Sequence, residues 1–398
     1  LSGTMAEASS VGAPGTSSIL HKFHVIEPPA NDESFPKPRS GHRTFVDNDF
    51  FYVIGGFTDT PTDTILRELW KFNLVTHIWT KCSIPETFPT TLASFACHSN
   101  GNGTFMVYGG TAIPFGQELD EVVYMGRIVG DDVQIEQIKP TGSKLGCYGH
   151  VLVFDPVRNK TFSVGGTDGT QFKLDVHALH RNETTGKWEW EEYATLVDDV
   201  GLYRMEAILE NDRIYVFGGG TTQRIQDFKT IQVFNIERKL YELIDTEPDP
   251  VHGHPAGRRC HSLVQWGRQV IIAGGCYDEP RRTNVGATVL GCVWSFNLDT
   301  HVWRKMDDLP IPCYFHDASI TNEGKMFIFG GVRDSSPPNP RGRIASLQTL
   351  WLGPPSLFSS ALAKMQTMKS VNLEASGHVL SDRLNLCRHI YNEVISPA

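Results

Sequence analysis

The chain has 398 residues, of which 40% are hydrophobic and 20% charged, and its formal net charge is −9 at pH 7. This composition is typical of a globular protein and excludes a mainly disordered chain. The acidic net charge disfavours nucleic acid as the main ligand, and the sequence has no apolar run as long as the ~18 residues that a membrane-spanning helix needs.

Two features favour a protein of the cytoplasm and the nucleus. Residues 1–18 are rich in Ser, Gly, Ala and Thr and lack the basic region and apolar core of a secretory signal, so they are expected to form a flexible tail. The eight cysteines contain no Cys-x-x-Cys pair. We therefore expect free, buried thiols and no zinc site.

Six Gly-Gly pairs then divide the chain at nearly equal spacing. The pairs are Gly55-Gly56, Gly109-Gly110, Gly165-Gly166, Gly218-Gly219, Gly274-Gly275 and Gly330-Gly331, and they begin 54, 56, 53, 56 and 56 residues apart. Each pair follows an apolar run rich in β-branched and aromatic residues, which predicts a buried strand that ends in a tight bend. A period of about 50 residues indicates a β-propeller.

The first repeat shows the complete pattern of one blade. Residues 43–47 are predicted to form an inner strand, and a second predicted strand ends at Gly55. Residues 68–73 alternate as a third strand, and residues 77–82, with Trp79, form a fourth. Four short antiparallel strands with a Gly-Gly pair and a distal Trp are typical of a kelch blade.

The distal aromatic residue varies among the later repeats. The fifth repeat has Trp303, the third has Trp188 and Trp190, the fourth has Tyr241 in that place, and the second has no distal Trp. We expect these rings to pack between neighbouring blades, so the loss of Trp should weaken the stacking without abolishing it.

The sixth repeat is one strand short, because its third strand, residues 346–352, is followed by Gly353-Pro354-Pro355. Residues 20–27 fit the outer-strand pattern, so we predict that this N-terminal segment completes the last blade and closes the ring. The alternative is a loose N-terminal arm. The predicted fold is all-β: a six-bladed kelch β-propeller over residues 19–352, closed by an N-terminal strand and followed by a short α-helical tail over residues 353–398.

Helical periodicity replaces strand alternation in this tail. Ser356 is in the position of an N-cap for a helix that begins at Leu357. The apolar residues that fall on one stripe at helical spacing are Leu357, Ala361, Leu362, Met365 and Met368. A second helix is predicted over residues 382–394. These helices either pack under the propeller or present their apolar face to a partner.

From residue 39 to residue 365 the chain resembles kelch-repeat substrate receptors of elongin-cullin-RING ubiquitin ligases. The stretches that carry the resemblance are residues 38–43, 108–116, 213–221, 258–262 and 344–357, whose order and spacing match across about four fifths of the chain. The resemblance implies elongins B and C, a cullin that is expected to be cullin-2, and client proteins as partners. We expect no cofactor, no metal and no catalytic residue, and neither nucleic acid nor a membrane as a partner.

Receptors of this kind dock elongin C through a BC-box helix of the form Ser/Thr-Leu-x-x-x-Cys-x-x-x-apolar. Ser356, Leu357, Ala361 and Met365 fit this form, with Ala361 in place of Cys. Since a small residue still lets two helices approach closely, the substitution is compatible with docking. The apolar-Pro pair of a cullin box is not present between residues 371 and 398.

The resemblance also implies the ligand, which is the extreme C-terminus of a client protein ending in Gly or Ala. A free carboxylate is a planar anion that Arg meets with two parallel hydrogen bonds, and propeller loops converge around a central mouth. By their places at blade openings, the candidate peptide-binding residues are Arg39, Ser40, Tyr148, Tyr203, Arg204, Arg258, Arg259, Tyr314 and His316. We expect Arg204 and Arg259 to hold the carboxylate. The three tyrosines would form walls around the peptide.

Other interpretations of these residues remain open. An Arg at a blade opening often braces the next loop instead of binding a ligand. His42, His150, His261 and His316 recur at equivalent places, which indicates structural hydrogen bonds within each blade rather than catalysis or metal binding. A kelch scaffold for signalling or cytoskeletal partners is the alternative function. An enzyme is disfavoured, because the sequence has no catalytic or phosphate-binding motif.

Overall fold

The computed structural model describes residues 22–28, 33–47, 49–60, 63–194, 201–221, 223–277, 287–334, 342–356 and 359. The regular elements of this part of the chain are β-strands, which confirms the predicted all-β class. The expected tail of residues 1–18 lies outside the described residues, as do the expected helices beyond Ser356, apart from Ser359. No helix among the described residues has the length and apolar character that crossing a membrane requires.

Six sheets of four antiparallel strands form the body of the described chain, and we number them in chain order. Sheet 1 contains Arg43–Val46, Phe50–Ile54, Leu69–Asn73 and Trp79–Lys81. Sheet 2 contains Ala96–Gly101, Thr104–Tyr108, Val123–Val129 and Asp132–Ile138. Sheet 3 contains Val151–Asp155, Lys160–Thr167, Phe172–Arg181 and Trp188–Ala194. Sheet 4 contains Glu206–Glu210, Arg213–Phe217, Thr230–Asn235 and Leu240–Asp245. Sheet 5 contains Ser262–Trp266, Gln269–Ala273, Val293–Asn297 and Trp303–Lys305. Sheet 6 contains Asp317–Ile320, Lys325–Phe329, Leu347–Trp351 and His24–Ile26.

Three smaller sheets lie in the connections between these strands. They are Phe57–Thr60 with Asp63–Ile65, Cys276–Tyr277 with Thr288–Val289, and Cys313–Tyr314 with Val332–Arg333 and Gly342–Arg343. Each of them includes a strand that directly follows a Gly-Gly pair. The bend at the pair is therefore the point where the chain leaves a main sheet.

The second strand of a sheet is covered on both faces, which is why its sequence is an almost continuous apolar run. In sheet 1, Phe51, Val53 and Ile54 are fully buried. Ile54 packs in one cluster with Phe105 of sheet 2. Val53 points to the other side and packs in a cluster with Phe327 of sheet 6. Sheet 1 is thus packed between sheets 2 and 6.

The N-terminal strand and the last strand of the described chain lie in the same sheet. His24–Ile26 pairs antiparallel with Leu347–Trp351, with His24 opposite Thr349 and Ile26 opposite Leu347. Just beyond the pairing, Ser346 Oγ donates to Glu27 Oε2 at 2.6 Å. The predicted pairing of the N-terminal segment with the last repeat is therefore present, over a strand of three residues.

A circle of backbone hydrogen bonds joins the six sheets. The residue two positions before each first strand donates its amide to the carbonyl of the equivalent residue of the preceding sheet. These six residues, here called the ring residues, are Gly41, Ser94, Gly149, Arg204, Cys260 and Phe315, and their N–O distances are 2.7 to 3.0 Å. The amide of Gly41 binds the carbonyl of Phe315, so the series returns to its start.

The ring residues share a left-handed backbone, with φ between 56° and 67°. Four of the six are not glycine, and an L-residue in this conformation costs roughly 1–2 kcal/mol. Because each ring residue both donates and accepts a hydrogen bond in the circle, this geometry is stabilised by two neighbours at once.

A second series of hydrogen bonds explains the Gly-Gly pairs. The second glycine of each pair donates to a carbonyl two residues ahead of the next ring residue, at 2.7 to 2.9 Å. The bonds run from Gly56 to Leu92, Gly110 to Cys147, Gly166 to Leu202, Gly219 to Arg258, Gly275 to Cys313 and Gly331 to Arg39. The first glycine lies against the same loop, since a Cβ on Gly109 would be 2.2 Å from the carbonyl oxygen of Cys147.

The distal tryptophans pack on the preceding sheet, as the sequence predicted. The ring of Trp79 lies 5.5 Å from that of Phe329 in sheet 6, between ring centroids. Trp190 lies 4.9 Å from Tyr108 of sheet 2. Trp303 is fully buried, and its indole N–H donates to the carbonyl of Phe228 at 3.2 Å. These rings act as wedges between neighbouring sheets.

We predict that Gly109→Ala destabilises the protein more than Gly130→Ala. The φ angles are 66° and 65°, so both substitutions carry the left-handed penalty of roughly 1–2 kcal/mol. Only at Gly109 does the new Cβ meet a backbone oxygen, whereas nothing lies within 4 Å at Gly130. The overpacking should lower the free energy of unfolding in urea by about 1–3 kcal/mol more at Gly109. Equal losses for the two variants would contradict this close approach.

Candidate functional site

A cavity of about 470 Å³ opens beside the ring residues. Loops of sheets 1, 2, 3, 4 and 6 contribute to it. Its lining residues are Ser40, Gly41, Phe57, Ala93, Ser94, Phe115, Tyr148, Tyr203, Arg204, Tyr314, Phe315, Val332, Gly342 and Arg343. Five residues expected from the sequence to bind a peptide come together here: Ser40, Tyr148, Tyr203, Arg204 and Tyr314. This makes the cavity the candidate functional site.

Position relative to the ring residue decides whether a side chain reaches the cavity. The residue directly before each ring residue is here called a rim residue, and the rim residues are Ser40, Ala93, Tyr148, Tyr203, Arg259 and Tyr314. All six pair with the residue that follows a Gly-Gly pair, for example Ser40 with Phe57 and Tyr148 with Thr167. In contrast, the residues two before and one after each ring residue are buried: Arg39, Leu92, Cys147, Leu202, Arg258, Cys313, His42, Phe95, His150, Met205, His261 and His316.

Aromatic rings form much of the cavity wall. Tyr148 and Tyr203 meet edge to face, with ring centroids 5.6 Å apart. Tyr314 lies 5.1 Å from Phe315, the ring residue that follows it. Rings held against one another in this way have few alternative rotamers, so the wall is formed before a ligand arrives.

Arg204 places its guanidinium among these rings. Its Cζ lies 5.3 Å from the centroid of Tyr203 and 4.5 Å from that of Phe315. Its Nε is buried without a hydrogen-bond partner among the described residues, and within them its side chain has no ion pair. Because Arg204 is itself a ring residue, the backbone circle fixes the position of its Cα.

A second guanidinium at the cavity was not expected from the sequence. Arg343 Nε donates to Ser40 Oγ at 2.8 Å, and its Cζ lies 4.2 Å from the ring centroid of Phe57. Phe57 in turn meets Phe115 edge to face at 5.3 Å. The position of Phe57 directly after a Gly-Gly pair was an available sequence signal. Arg343 lies in the short strand Gly342–Arg343, whose place has no repeat spacing, so no comparable signal pointed to it.

The structure corrects three of the predicted peptide contacts. Arg39 and Arg258 are 0% exposed. Arg39 pairs with Glu68 and donates to the carbonyl of Gly55 at 2.9 Å, and Arg258 donates to the carbonyl of Gly274 at 3.0 Å. Although burial acts in the opposite direction, Arg39 holds the pKa of Glu68 down at about 2. Both guanidiniums therefore brace the Gly-Gly bends and are not available to a peptide.

His316 is the third correction. It is buried next to sheet 5, with Nε2 3.1 Å from the carbonyl oxygen of Ala273. Burial lowers the pKa of His316 to about 4, so the ring is neutral at pH 7. It lies behind the cavity wall and cannot contact a bound peptide.

Arg259 occupies the rim position of sheet 5 but does not line the cavity. It bridges to Cys276, and its Nη1 donates to the carbonyl of Thr221 at 3.0 Å. The expectation that it holds a carboxylate stays a prediction.

Two of the four recurring histidines, His42 and His316, bond to the preceding sheet, which corrects the expectation of hydrogen bonds within each blade. His42 precedes sheet 1, and its Nε2 lies 3.1 Å from the carbonyl oxygen of Phe329 in sheet 6. His150 and His261 are buried with neither ring nitrogen bonded to a described residue. Within the described ranges, no group of three or more His, Cys, Asp or Glu side chains is arranged to hold a metal ion.

A buried charge cluster lies in the first strands of sheets 1, 4 and 6, two positions after the ring residue in each case. Arg43 Nη1 is 2.7 Å from Glu206 Oε1 and 3.1 Å from Asp317 Oδ1. Asp317 also accepts the amide and the hydroxyl of Thr44 at 2.5 and 2.9 Å. Burial raises the pKa of Glu206 and of Asp317, and Arg43 offsets part of this effect. The cluster joins sheet 1 to sheets 4 and 6 across the centre of the molecule.

We expect Arg43→Met to lower the free energy of unfolding by about 3–5 kcal/mol at pH 7, because two carboxyls would remain buried without a cation. Arg213→Met is the matched control. Arg213 and Glu242 form a surface pair at 3.8 Å, and such a pair contributes about 0–1 kcal/mol.

The loss in Arg43→Met should also depend on pH. Without Arg43 the pKa values of Glu206 and Asp317 would lie above those of the unfolded chain, so the native state would bind more protons than the unfolded state. The variant should therefore regain stability as the pH falls from about 8 to about 5. Urea unfolding across this range measures the effect. A loss no larger than that of Arg213→Met, or one independent of pH, would show that the cluster is not a coupled network.

Comparison with known proteins places the chain among kelch sequences. The profile of the KLHDC2/KLHL20/DRC7 Kelch-repeats domain matches residues 102–331, which include Arg204. The profile of the Kelch motif matches residues 38–85.

Individual relatives match most of the chain. Kelch domain-containing protein 10 of Homo sapiens is 33% identical over 351 residues, which cover 83% of this chain and 74% of the human protein. The Xenopus laevis protein of the same name is 33% identical over 346 residues, covering 81% of this chain and 77% of that protein. The Kelch domain-containing protein 10 homolog of Drosophila melanogaster is 29% identical over 334 residues, covering 75% of this chain and 52% of the fly protein.

Proposed function

The chain belongs to the kelch-repeat family, in the group of kelch domain-containing protein 10, and on this premise we propose that it is the substrate-recognition subunit of a cullin-RING E3 ubiquitin ligase. Kelch repeats form β-propellers that serve as protein-binding scaffolds. In this proposal the candidate site binds the C-terminal tail of a client, and the helix after the propeller docks elongin C. Elongin B and cullin-2 would complete the assembly, which works by bringing the client close to the ubiquitin-transfer site.

The circle of ring residues supports a closed, six-bladed propeller. Six equivalent hydrogen bonds return to the residue at which they began. The first strand of sheet 6 contacts the first strand of sheet 1, as the other neighbouring first strands contact each other. In this proposal each four-stranded sheet is one blade, and His24–Ile26 is the strand that closes the ring.

One observation carries the peptide-binding part of the proposal: in the described part of the chain the guanidinium of Arg204 forms no ion pair, and its Nε has no hydrogen-bond partner. A charge among aromatic rings loses hydration, and an anion that restores its hydrogen bonds is strongly favoured there. A terminal carboxylate can accept two parallel hydrogen bonds from the guanidinium. The surrounding rings of Tyr203 and Phe315 lower the local dielectric and strengthen this contact.

The small residues beside Arg204 favour a terminal residue without a large side chain. Gly41, Ala93 and Ser94 line the same cavity. A Cβ on Gly41 would lie 3.7 Å from Nη2 of Arg204, so a peptide backbone passing Gly41 comes within contact distance of the guanidinium. A terminal Gly or Ala suits such a close approach of two backbones.

The start of the proposed BC-box is attached to sheet 6. Ser356 Oγ accepts the amide of Ser359 at 3.1 Å, which is the contact of an N-cap residue with the third residue of its helix. The same Oγ lies 3.3 Å from Glu323 Oε1. The other proposed elongin contacts lie outside the described residues: Leu357, Ala361 and Met365.

We predict that Arg204→Glu loses binding to short random peptides that end in Gly or Ala. The wild-type protein should retain pools with a free carboxylate and not the same pools with an amidated C-terminus. Since a hydrogen bond to a charged group contributes about 1.5–3 kcal/mol, Kd should rise by about 10- to 150-fold. Retention on immobilised protein, followed by mass spectrometry, gives the measurement.

Arg259→Glu is the matched control for charge reversal at the same face, because Arg259 is a rim residue that does not line the cavity. If Arg204 alone holds the carboxylate, the peptide retention of Arg259→Glu should change much less. Equal losses in both variants would show instead that Arg204 and Arg259 act together, as the sequence predicted, and unchanged retention in Arg204→Glu would overturn the assignment of the carboxylate to Arg204. Binding of amidated and free pools to the same extent by the wild-type protein would overturn recognition of a C-terminus altogether.

Leu357→Arg is expected to abolish capture of the chain by an immobilised elongin B–C complex, because a charged side chain cannot enter an apolar groove without losing its hydration. Arg204→Glu should leave this capture intact, and Leu357→Arg should leave peptide retention intact. Undiminished capture of Leu357→Arg would disprove the BC-box and favour a kelch scaffold outside the ligase.

A further inference from the structure

A second cavity, of about 890 Å³, lies between sheets 5 and 6 and is here called the cleft. Its apolar walls include Trp266, Ile271 and Met306 on the side of sheet 5 and Leu352 at the end of sheet 6. Gln269 also lines the cleft and begins the strand whose other end leads to a Gly-Gly pair and the ring residues. The cleft extends from Gln269 along the face of sheet 5 to Met306, whose amide binds the carbonyl of Val293 near the Gly-Gly pair, and it shares no lining residue with the candidate peptide site.

Sheet 6 has a phenylalanine in the register of the tryptophan wedge. In sheet 1, Trp79 lies opposite Phe72 in the strand pairing. In sheet 6, His24 lies opposite Thr349, so Phe23 falls opposite Leu350, in the register of the wedge. Phe23 is only half-buried against the cluster between sheets 5 and 6. A smaller ring at the end of a three-residue strand leaves space that Trp fills elsewhere.

The chain passes along this cleft on its way to the C-terminus. Leu352 lines the cleft, and a Cβ on the next residue, Gly353, would lie 2.3 Å from the indole of Trp266. Ser356 and Ser359 both bond to the carboxylate of Glu323, in the turn between the first two strands of sheet 6. The last described residues are thus held beside the opening, and residues 360–398 continue from there.

We propose that the segment of this chain from residue 357 onward seats its apolar stripe in the cleft. The stripe of Leu357, Ala361, Leu362, Met365 and Met368 begins directly after the anchored residues, so no long linker separates it from the opening. Trp266, Ile271, Met306 and Leu352 give the cleft an apolar patch. Its other lining residues are polar or charged, and they include Arg304 and Asp308, which provide charges of both signs for the polar side of the segment. An apolar patch next to a covalently attached apolar segment favours their association.

The docking has a consequence that rests on the proposed function. The stripe that would enter the cleft includes the residues proposed to contact elongin C. The cleft and elongin C cannot bind the same apolar face at the same time, so they would compete for the segment. The free receptor would then hold its ligase-binding segment covered until elongin displaces it.

The full chain with p-benzoylphenylalanine in place of Met306 tests the docking directly. Under irradiation, the benzophenone should cross-link to residues 357–398 of the same molecule, as mapped by mass spectrometry. The same amino acid in place of Leu243, which is 67% exposed on the outer strand of sheet 4, is the matched control and should give no cross-link to that segment. Leu362→Asp should remove most of the cross-link at position 306 without touching a described residue.

Other outcomes are equally clear. Cross-links to a second molecule, equal yields at positions 306 and 243, or the absence of segment peptides would each overturn the docking. Added elongin B–C should reduce the cross-link from position 306. If elongin B–C does not bind the chain at all and the cross-link persists, the docking stands and the ligase role falls.

Discussion

The circle of six backbone hydrogen bonds is the constraint on which the rest of the molecule depends. Each hydrogen bond in the circle joins the amide of one ring residue to the carbonyl of another, and both residues have a left-handed backbone. Neighbouring sheets are joined at that bond. The side chains of the ring residues share no chemistry, since they range from Gly to Arg and Phe. The six repeats share the backbone geometry of the ring residue. The Gly-Gly pairs make this geometry possible, because the following loop approaches where a Cβ would clash. A repeat can therefore exchange almost any surface residue and still take its place in the circle.

The candidate site follows from that circle. Because the ring residue turns the chain, the side chains two before and one after it are buried, and five of the six rim residues line the cavity. Arg204 is the charged one among the ring residues, and its guanidinium and that of Arg343 give the cavity its positive charge. The charges beneath it, at Arg43, Glu206 and Asp317, are satisfied by each other. The guanidinium of Arg204 forms no ion pair among the described residues, so its hydrogen-bonding capacity is available to a ligand in the cavity.

Repeat spacing was enough to predict the strands, the Gly-Gly bends, the tryptophan wedges and the pairing of the N-terminal segment, because each depends on a pattern that recurs. The errors at the site were errors of register. Arg39 and Arg258 stand two places before the ring residue, where every repeat buries its side chain, whereas Arg204 stands on it. The recurring histidine, always one place after the ring residue, could have fixed this alignment. No repeat pattern leads to Arg343, whose contact with Ser40 joins two segments 303 positions apart in sequence.

The shared sheet of His24–Ile26 and Leu347–Trp351 also sets an order of events during synthesis. The strand that leaves the ribosome first finds its partner only after more than 300 further residues have been made. Until then sheet 1 has no neighbour on one side, and its aromatic face, including Trp79, stays exposed to water or to chaperones. Such a long-range closure slows folding and leaves the nascent chain prone to aggregation. Packing of the described sheets is therefore complete only when the first and last described strands pair.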